Sequence, residues 1–154
     1  MSISKASIEG VKLTPNFYFK EFVEGSAMPS KAIKMNYDLT PAYLLPRLGV
    51  IAERLQTIRN EAKAHFGSRL KGIRITCGIR VKKWELEQGR SGNSQHVQLW
   101  AVDFTPICNS KDTDEILEWI FERYKDNWLG GWAINRSAKF IHADCRPNKA
   151  RWEY

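Results

Sequence analysis

The chain has 154 residues, 43% of them apolar and 12% aromatic, which predicts one packed domain over residues 1–154 and excludes a disordered chain. No apolar run approaches the roughly eighteen residues that cross a bilayer, and the opening M-S-I-S-K-A-S-I-E-G lacks the apolar core of a secretory signal. A formal charge of +7 points to an anionic partner, nucleic acid or cell-wall polymer, but the lysines and arginines are scattered and no nucleic-acid-binding signature accompanies them.

Taken in chain order, L-T-P-N-F-Y-F-K-E-F-V over residues 13–23 reads as a turn entering a short helix, with Thr14 as N-cap and Pro15 at the first helical position. Residues 36–40 are polar, and Thr40-Pro41 repeats the start signal. Leu44, Leu48, Ile51, Leu55, Ile58 and Ala62 then recur at steps of four and three, the apolar stripe of a long helix that Gly67 ends. His65 falls in its last turn, where the helix dipole favours a cation and no carboxylate stands near in sequence; it reads as a surface or capping residue.

Beyond that helix the pattern turns to strands. I-R-I-T-C-G-I over residues 73–79 alternates and is rich in β-branched residues. A polar, glycine-bearing loop over residues 88–95 leads to His96, and W-A-V-D-F-T over residues 100–105 reads as a buried strand closed by Pro106. Residues 114–124 form an amphipathic helix with Ile116, Leu117, Ile120 and Phe121 inward. Gly130-Gly131 turns the chain into a further apolar segment, and K-F-I-H-A-D-C over residues 139–145 is the last strand expected, stopped by Pro147. Helices first, then strands with one helix among them, predict an α+β fold whose N-terminal helices pack on a mostly antiparallel sheet.

The chain holds three histidines and three cysteines. Cys77, Cys108 and Cys145 form no C-x-x-C pair, so they read as buried free thiols of a chain made in a reducing cytoplasm, without a metal role. His142 and Asp144 stand two apart on a strand and share a face, marking either the wall of a cleft or an exposed polar edge. Asp103 lies inside A-V-D-F, where a carboxylate must be ion-paired, hydrogen-bonded or bound to a metal. The odd spacing from His96 to Asp103 would place them on opposite faces of a straight strand, so the chain must bend between them. His96, Asp103 and His142 together offer two neutral nitrogens and a hard oxygen, a donor set that suits Zn²⁺ with a fourth position open.

Ser94-x-His96-x-x-Leu99-x-Ala101-x-Asp103 resembles the Ser-x-His-x-x-Gly-x-Ala-x-Asp signature of the zinc D-alanyl-D-alanine carboxypeptidase family, which includes phage murein endopeptidases and shares a fold with the Hedgehog signalling domain. The string F-I-H-A-D-C-R over residues 140–146, followed by Arg151-Trp152, is similar to the phage-type branch. T-C-G-I-R over residues 76–80 resembles the family's Ser-Gly-Tyr-Arg segment, and residues 13–22 look like its entry motif. Leu99 occupies the glycine position of the signature, and Lys139 stands where several members place a catalytic glutamate.

The resemblance implies a Hedgehog/DD-peptidase-like fold with His96, Asp103 and His142 as zinc ligands. It implies that Arg80 faces the reacting carbonyl, and it leaves Asp144 as the best substitute for the missing glutamate base. Ser94 is expected to orient a ligand. The expected function is zinc-dependent cleavage of an amide bond in peptidoglycan stem peptides or cross-links, as carboxypeptidase or endopeptidase. The enzyme is expected to be a monomer made without a signal peptide, acting at the cell wall after release in phage lysis or carried in a virion. Two rivals stand beside this reading: a catalytically inactive zinc- or wall-binding module of the same fold, favoured by Leu99 and Lys139, and a basic nucleic-acid binder, favoured by charge alone.

Overall fold

In the computed structural model, which describes residues 3–154, the chain opens with a short helix α1 (Lys5–Ile8) and a two-stranded ribbon of β1 (Lys12–Thr14) and β2 (Phe17–Tyr18). Helix α2 (Phe19–Val23) follows directly. Thr14 is therefore the end of a strand and not an N-cap. Its hydroxyl donates to Gln56 Oε1 at 2.8 Å, and the helix begins five residues later at Phe19, after Tyr18, whose backbone N–H donates to Glu21 Oε2 at 2.7 Å.

Helix α3 (Ser30–Leu39) was not signalled by the sequence, because only one side of it meets the rest of the molecule. Ala32 and Asn36 are its fully buried residues. Asn36 donates its amide hydrogens to the carbonyls of Val23 at 2.9 Å and Ile79 at 2.8 Å, tying the end of α2 to the segment that carries Arg80.

After a single 3₁₀ turn at Ala42–Leu44, helix α4 runs over Pro46–Phe66 with Pro46, not Pro41, in its first turn. All six residues of its expected stripe are buried, and Gly67 stops it with φ 58°. His65 is exposed and stacks on Trp119 with ring centroids 4.7 Å apart, away from any metal donors.

The sheet comprises β3 (Gly72–Cys77), β4 (Ala101–Ile107), β5 (Gly131–Asn135), β6 (Phe140–Asp144) and β7 (Ala150–Glu153). Between β3 and β4 lies the short helix α5 (Lys82–Glu87), and between β4 and β5 lies α6 (Thr113–Tyr124). The strand order is β3-β4-β6-β5-β7. Three of its four pairings are antiparallel; only β5 with β7 is parallel. The fold is thus α+β with helices against a mostly antiparallel sheet. Two details depart from the sequence reading. Pro106 sits inside β4, beyond its last pairing with β6 at Phe104, where no ladder N–H toward β6 is needed. And β6 is not the last strand: β7 follows Pro147 and adds the outer edge.

Register divides the sheet into two faces. Val102, Phe104, Trp132, Ile134, Ile141 and Ala143 project into the core with the buried faces of α4 and α6. Asp103, His142 and Asp144 project from the other face. Among the described residues no helix is long and apolar enough to cross a membrane.

Asn36→Ala would leave the Val23 and Ile79 carbonyls without their buried donor. At about 1–3 kcal/mol for each orphaned group, urea denaturation should show a loss of roughly 2–4 kcal/mol. A change under 0.5 kcal/mol would mean that α3 does not hold this corner.

Candidate metal centre

Three adjacent strands place one row of side chains on the open face. Cys77 of β3 pairs with Asp103 of β4, and Asp103 pairs with His142 of β6. The row continues through Ala133 of β5 to Trp152 of β7. Simple alternation would put Cys77 on the core side with Ile73 and Ile75. A register shift between Ile75 and Cys77 adds one residue to β3 and swings the thiol over to the side of Asp103.

His96 comes in from above the row, on the bend that joins the polar loop to β4. The bend closes with backbone hydrogen bonds from Leu99 to His96 and from Trp100 to Gln95, and it requires a left-handed residue, Leu99, at φ 56°. Leucine meets a conformation that glycine adopts freely, at a cost of about 1–2 kcal/mol. Its side chain, 1% exposed, offsets that cost by packing in the core. The bend expected between His96 and Asp103 is present, and leucine sustains it.

His96 donates from Nδ1 to the Gly78 carbonyl at 2.7 Å, which fixes the tautomer and leaves Nε2 as a bare lone pair. A Cβ on residue 78 would meet the Phe22 backbone at 2.5 Å, so this close approach needs glycine. Nε2 is buried without a hydrogen-bond partner, and it points at Asp103 Oδ1 from 3.3 Å. Two acceptors facing one another in a buried site call for a cation or proton between them.

His142 bridges two carboxylates, with Nδ1 2.8 Å from Asp103 Oδ1 and Nε2 2.9 Å from Asp144 Oδ2. Ionised carboxylates only accept, so both ring nitrogens donate and the ring is an imidazolium. Burial alone would lower its pKa, but the hydrogen bonds to Asp103 and Asp144 outweigh burial and raise it. His96 goes the other way, because burial outweighs its attraction to Asp103. Burial also opposes ionisation of Asp103, yet the two histidines hold it well below the usual carboxylate range.

Asp144 is completely buried, and N–H groups crowd its oxygens. Gly131 donates at 2.8 Å, the Arg146 backbone at 3.1 Å, and the Arg146 guanidinium reaches both oxygens, the shortest contact being 2.6 Å. A Cβ on Gly131 would fall 2.2 Å from Oδ2, so the carboxylate sits where only glycine admits it. These donors hold the group ionised against the opposing effect of burial. Neither oxygen is free to take a proton from water. The geometry is that of a carboxylate steering an imidazole, and it departs from the base role expected of Asp144.

Arg80 lines the cavity beside Asp103, its Nε 3.1 Å from Glu85 Oε1. Glu85, a fully buried carboxylate on α5 that also accepts from the Ser94 hydroxyl, escapes sequence reasoning. Ser94 therefore touches no proposed ligand; it braces the carboxylate that braces Arg80. Trp100 and Trp132 also lie away from the cavity, Trp132 wholly within the core, while Trp152 stacks near His142 at 5.2 Å between centroids. Lys139 is exposed on the β5–β6 hairpin at φ 59° and paired with Asp114 at 2.6 Å.

The cavity over the row has a volume of about 420 Å³ and is lined by His96, Asp103, His142, Arg80, Arg90 and Arg146, among others. A second cavity, of about 370 Å³, reaches Met28, Thr76, Cys77 and Trp84 and shares Arg80, Arg90, Asp103 and Phe140 with the first. The two form one groove that passes over Asp103. The donor atoms of Cys77, His96 and Asp103 lie within 4.8 Å of one another. An orphaned imidazole nitrogen, an ionised carboxylate and a second imidazole turned toward the same oxygen suit a divalent cation, which would replace the proton on His142 Nδ1.

Asp103 and Asp144 hold fewer protons folded than unfolded. Their contribution to stability is therefore complete above about pH 5 and is lost as pH falls toward their lowered values. His142 has the opposite sign: its contribution is full below about pH 6.5 and fades as pH rises through its raised value. Thermal melts of the metal-free protein should show an acid limb below about pH 5 that Asp144→Asn makes shallower; an unchanged limb would refute the ionised, donor-held Asp144.

No curated protein and no solved structure gives a significant match to this sequence. A family model described as Peptidase M15 matches residues 22–144, which takes in α3, Arg80, the bend at Leu99, His96, Asp103, His142 and Asp144. With most of its length and its entire candidate centre inside that match, the chain belongs to the peptidase M15 family.

Proposed function

We propose that this chain acts as a single domain, monomeric zinc peptidase that cleaves an amide bond in peptidoglycan stem peptides or their cross-links. M15 peptidases are zinc-dependent, and the observation that carries the reading here is the unpartnered Nε2 of His96 facing Asp103. In this reading His96, Asp103 and His142 hold the ion through Nε2, a carboxylate oxygen and Nδ1. When bound, zinc supplies Lewis acidity toward the scissile carbonyl and makes water more acidic.

The chain's own groups do the rest. Asp144, held by Gly131 and Arg146, keeps His142 Nε2 engaged so that Nδ1 faces the ion site; it is a positioning residue. Arg80, steadied by Glu85, presents guanidinium N–H groups to the oxygen that gains charge or to a substrate carboxylate. Arg90 and Arg146 make the same groove basic, which suits an anionic peptide or wall polymer. The groove continues on both sides of Asp103, which favours an endopeptidase over an enzyme that closes on a chain terminus. Cleavage of peptidoglycan fits a lysis or virion-borne role.

One observation favours a second reading, an inactive zinc- or wall-binding module of the same fold. Asp103 faces the ion site and Asp144 is filled with donors, so neither carboxylate at the centre is free to move a proton.

Metal analysis of purified protein should find one zinc ion per chain, lost in His96→Ala, with digestion of purified cell wall by the wild type. Zinc retained without digestion would establish the module instead. Asp144→Asn should weaken zinc binding roughly 10–100-fold, with activity restored by added zinc. Full zinc occupancy with lost turnover would return the base role to Asp144. Arg80→Ala should lower kcat/KM roughly 10²-fold with zinc binding unchanged.

A further inference from the structure

The thiol of Cys77 has surroundings unlike those of a buried apolar filler. Asp103 stands directly across from it in the sheet, and its sulfur lies 3.8 Å from His96 Nδ1. Its donor atom falls in the same 4.8 Å cluster as those of His96 and Asp103. It is 6% exposed, on the side of Asp103 opposite His142. The unpartnered Nε2 of the same His96 ring, 3.3 Å from Asp103 Oδ1, is the independent sign that an ion belongs beside these residues. Cys108 and Cys145 play no part: neither belongs to a metal-capable cluster among the described residues.

We propose that Cys77 supplies a fourth, thiolate donor to the ion held by His96, Asp103 and His142, so that the resting centre is closed by sulfur. This inference rests on the metal-site reading given above. Together these side chains would offer an ion two imidazole nitrogens, one carboxylate oxygen and one thiolate sulfur, the sulfur grouped with His96 and Asp103. The thiol releases its proton to solvent as the sulfur–metal bond forms, and nothing is oxidised or reduced. A soft donor favours zinc, cobalt and cadmium over magnesium and calcium.

Cobalt titrated into metal-free protein tests this without any activity measurement. Visible bands of tetrahedral cobalt should appear together with an intense near-ultraviolet sulfur-to-cobalt charge-transfer band. Cys77→Ser should lose the near-ultraviolet band and keep the visible ones, while Cys108→Ser should keep both. Should Cys77→Ser fail to fold, cadmium NMR of the wild type decides, because a thiolate donor moves the resonance far downfield of a nitrogen–oxygen shell. Visible bands without the charge-transfer band, or a cadmium signal in the nitrogen–oxygen range, would overturn the thiolate and leave the three-donor site standing. Failure of either metal to bind would overturn both readings.

Discussion

Asp103 carries a negative charge into the middle strand of a triplet, where neighbours flank it on both sides and water reaches it only through the groove. A carboxylate so placed costs several kcal/mol unless its surroundings answer it. They do so with His142 on one flank and His96 above, and each of those rings is answered in turn, by Asp144 and by the Gly78 carbonyl. Asp144 recruits Arg146 and the Gly131 N–H, and Arg146 lies over the Trp152 ring at 5.3 Å. The requirement to satisfy one buried charge thus extends from β3 to β7 and fixes two glycines. Within this network His96 Nε2 is left unanswered, and it is the place where a cation would complete it.

The helices supply the stiffness this arrangement needs. Asn36 holds the strand end ahead of Arg80, and Glu85 on α5 holds the guanidinium itself. Both are polar groups buried in the second tier around the groove, and neither touches the proposed ion. Their role is to keep long side chains and loop backbone within the tolerance that a few directional donors demand.

Elements that repeat a period were legible in the sequence. The stripe of α4, the apolar face of α6 and the cores of β3, β4 and β6 each carry several residues that obey one rule, and each lies where that rule places it. What escaped was set by single contacts. Helix α3 buries little, so it has no stripe to read. β7 is a half-exposed edge strand made of Ala150, Arg151, Trp152 and Glu153, with no run of apolar residues. Thr14 resembles a cap because threonine followed by proline often is one, and here a ribbon uses it instead. For the candidate centre, donor chemistry and family resemblance point to His96, Asp103 and His142, and both histidines stand against Asp103 in the structure. Glu85 was invisible because a glutamate on a short polar helix normally faces water. Cys77 reads as a buried free thiol for want of a paired cysteine, and one extra residue in β3 turns it toward Asp103.

That the donors belong to a register row has a consequence for how errors are tolerated. A slip of β6 by one residue would present Ile141 and Ala143 to the groove and drive His142 and Asp144 into the hydrocarbon interior, so no partly mispaired sheet keeps a partial centre. Coordination is then all-or-none with strand pairing. Uptake of free metal ion in solution would then report correctness of fold, because only chains whose strands have met their partners would hold the ion.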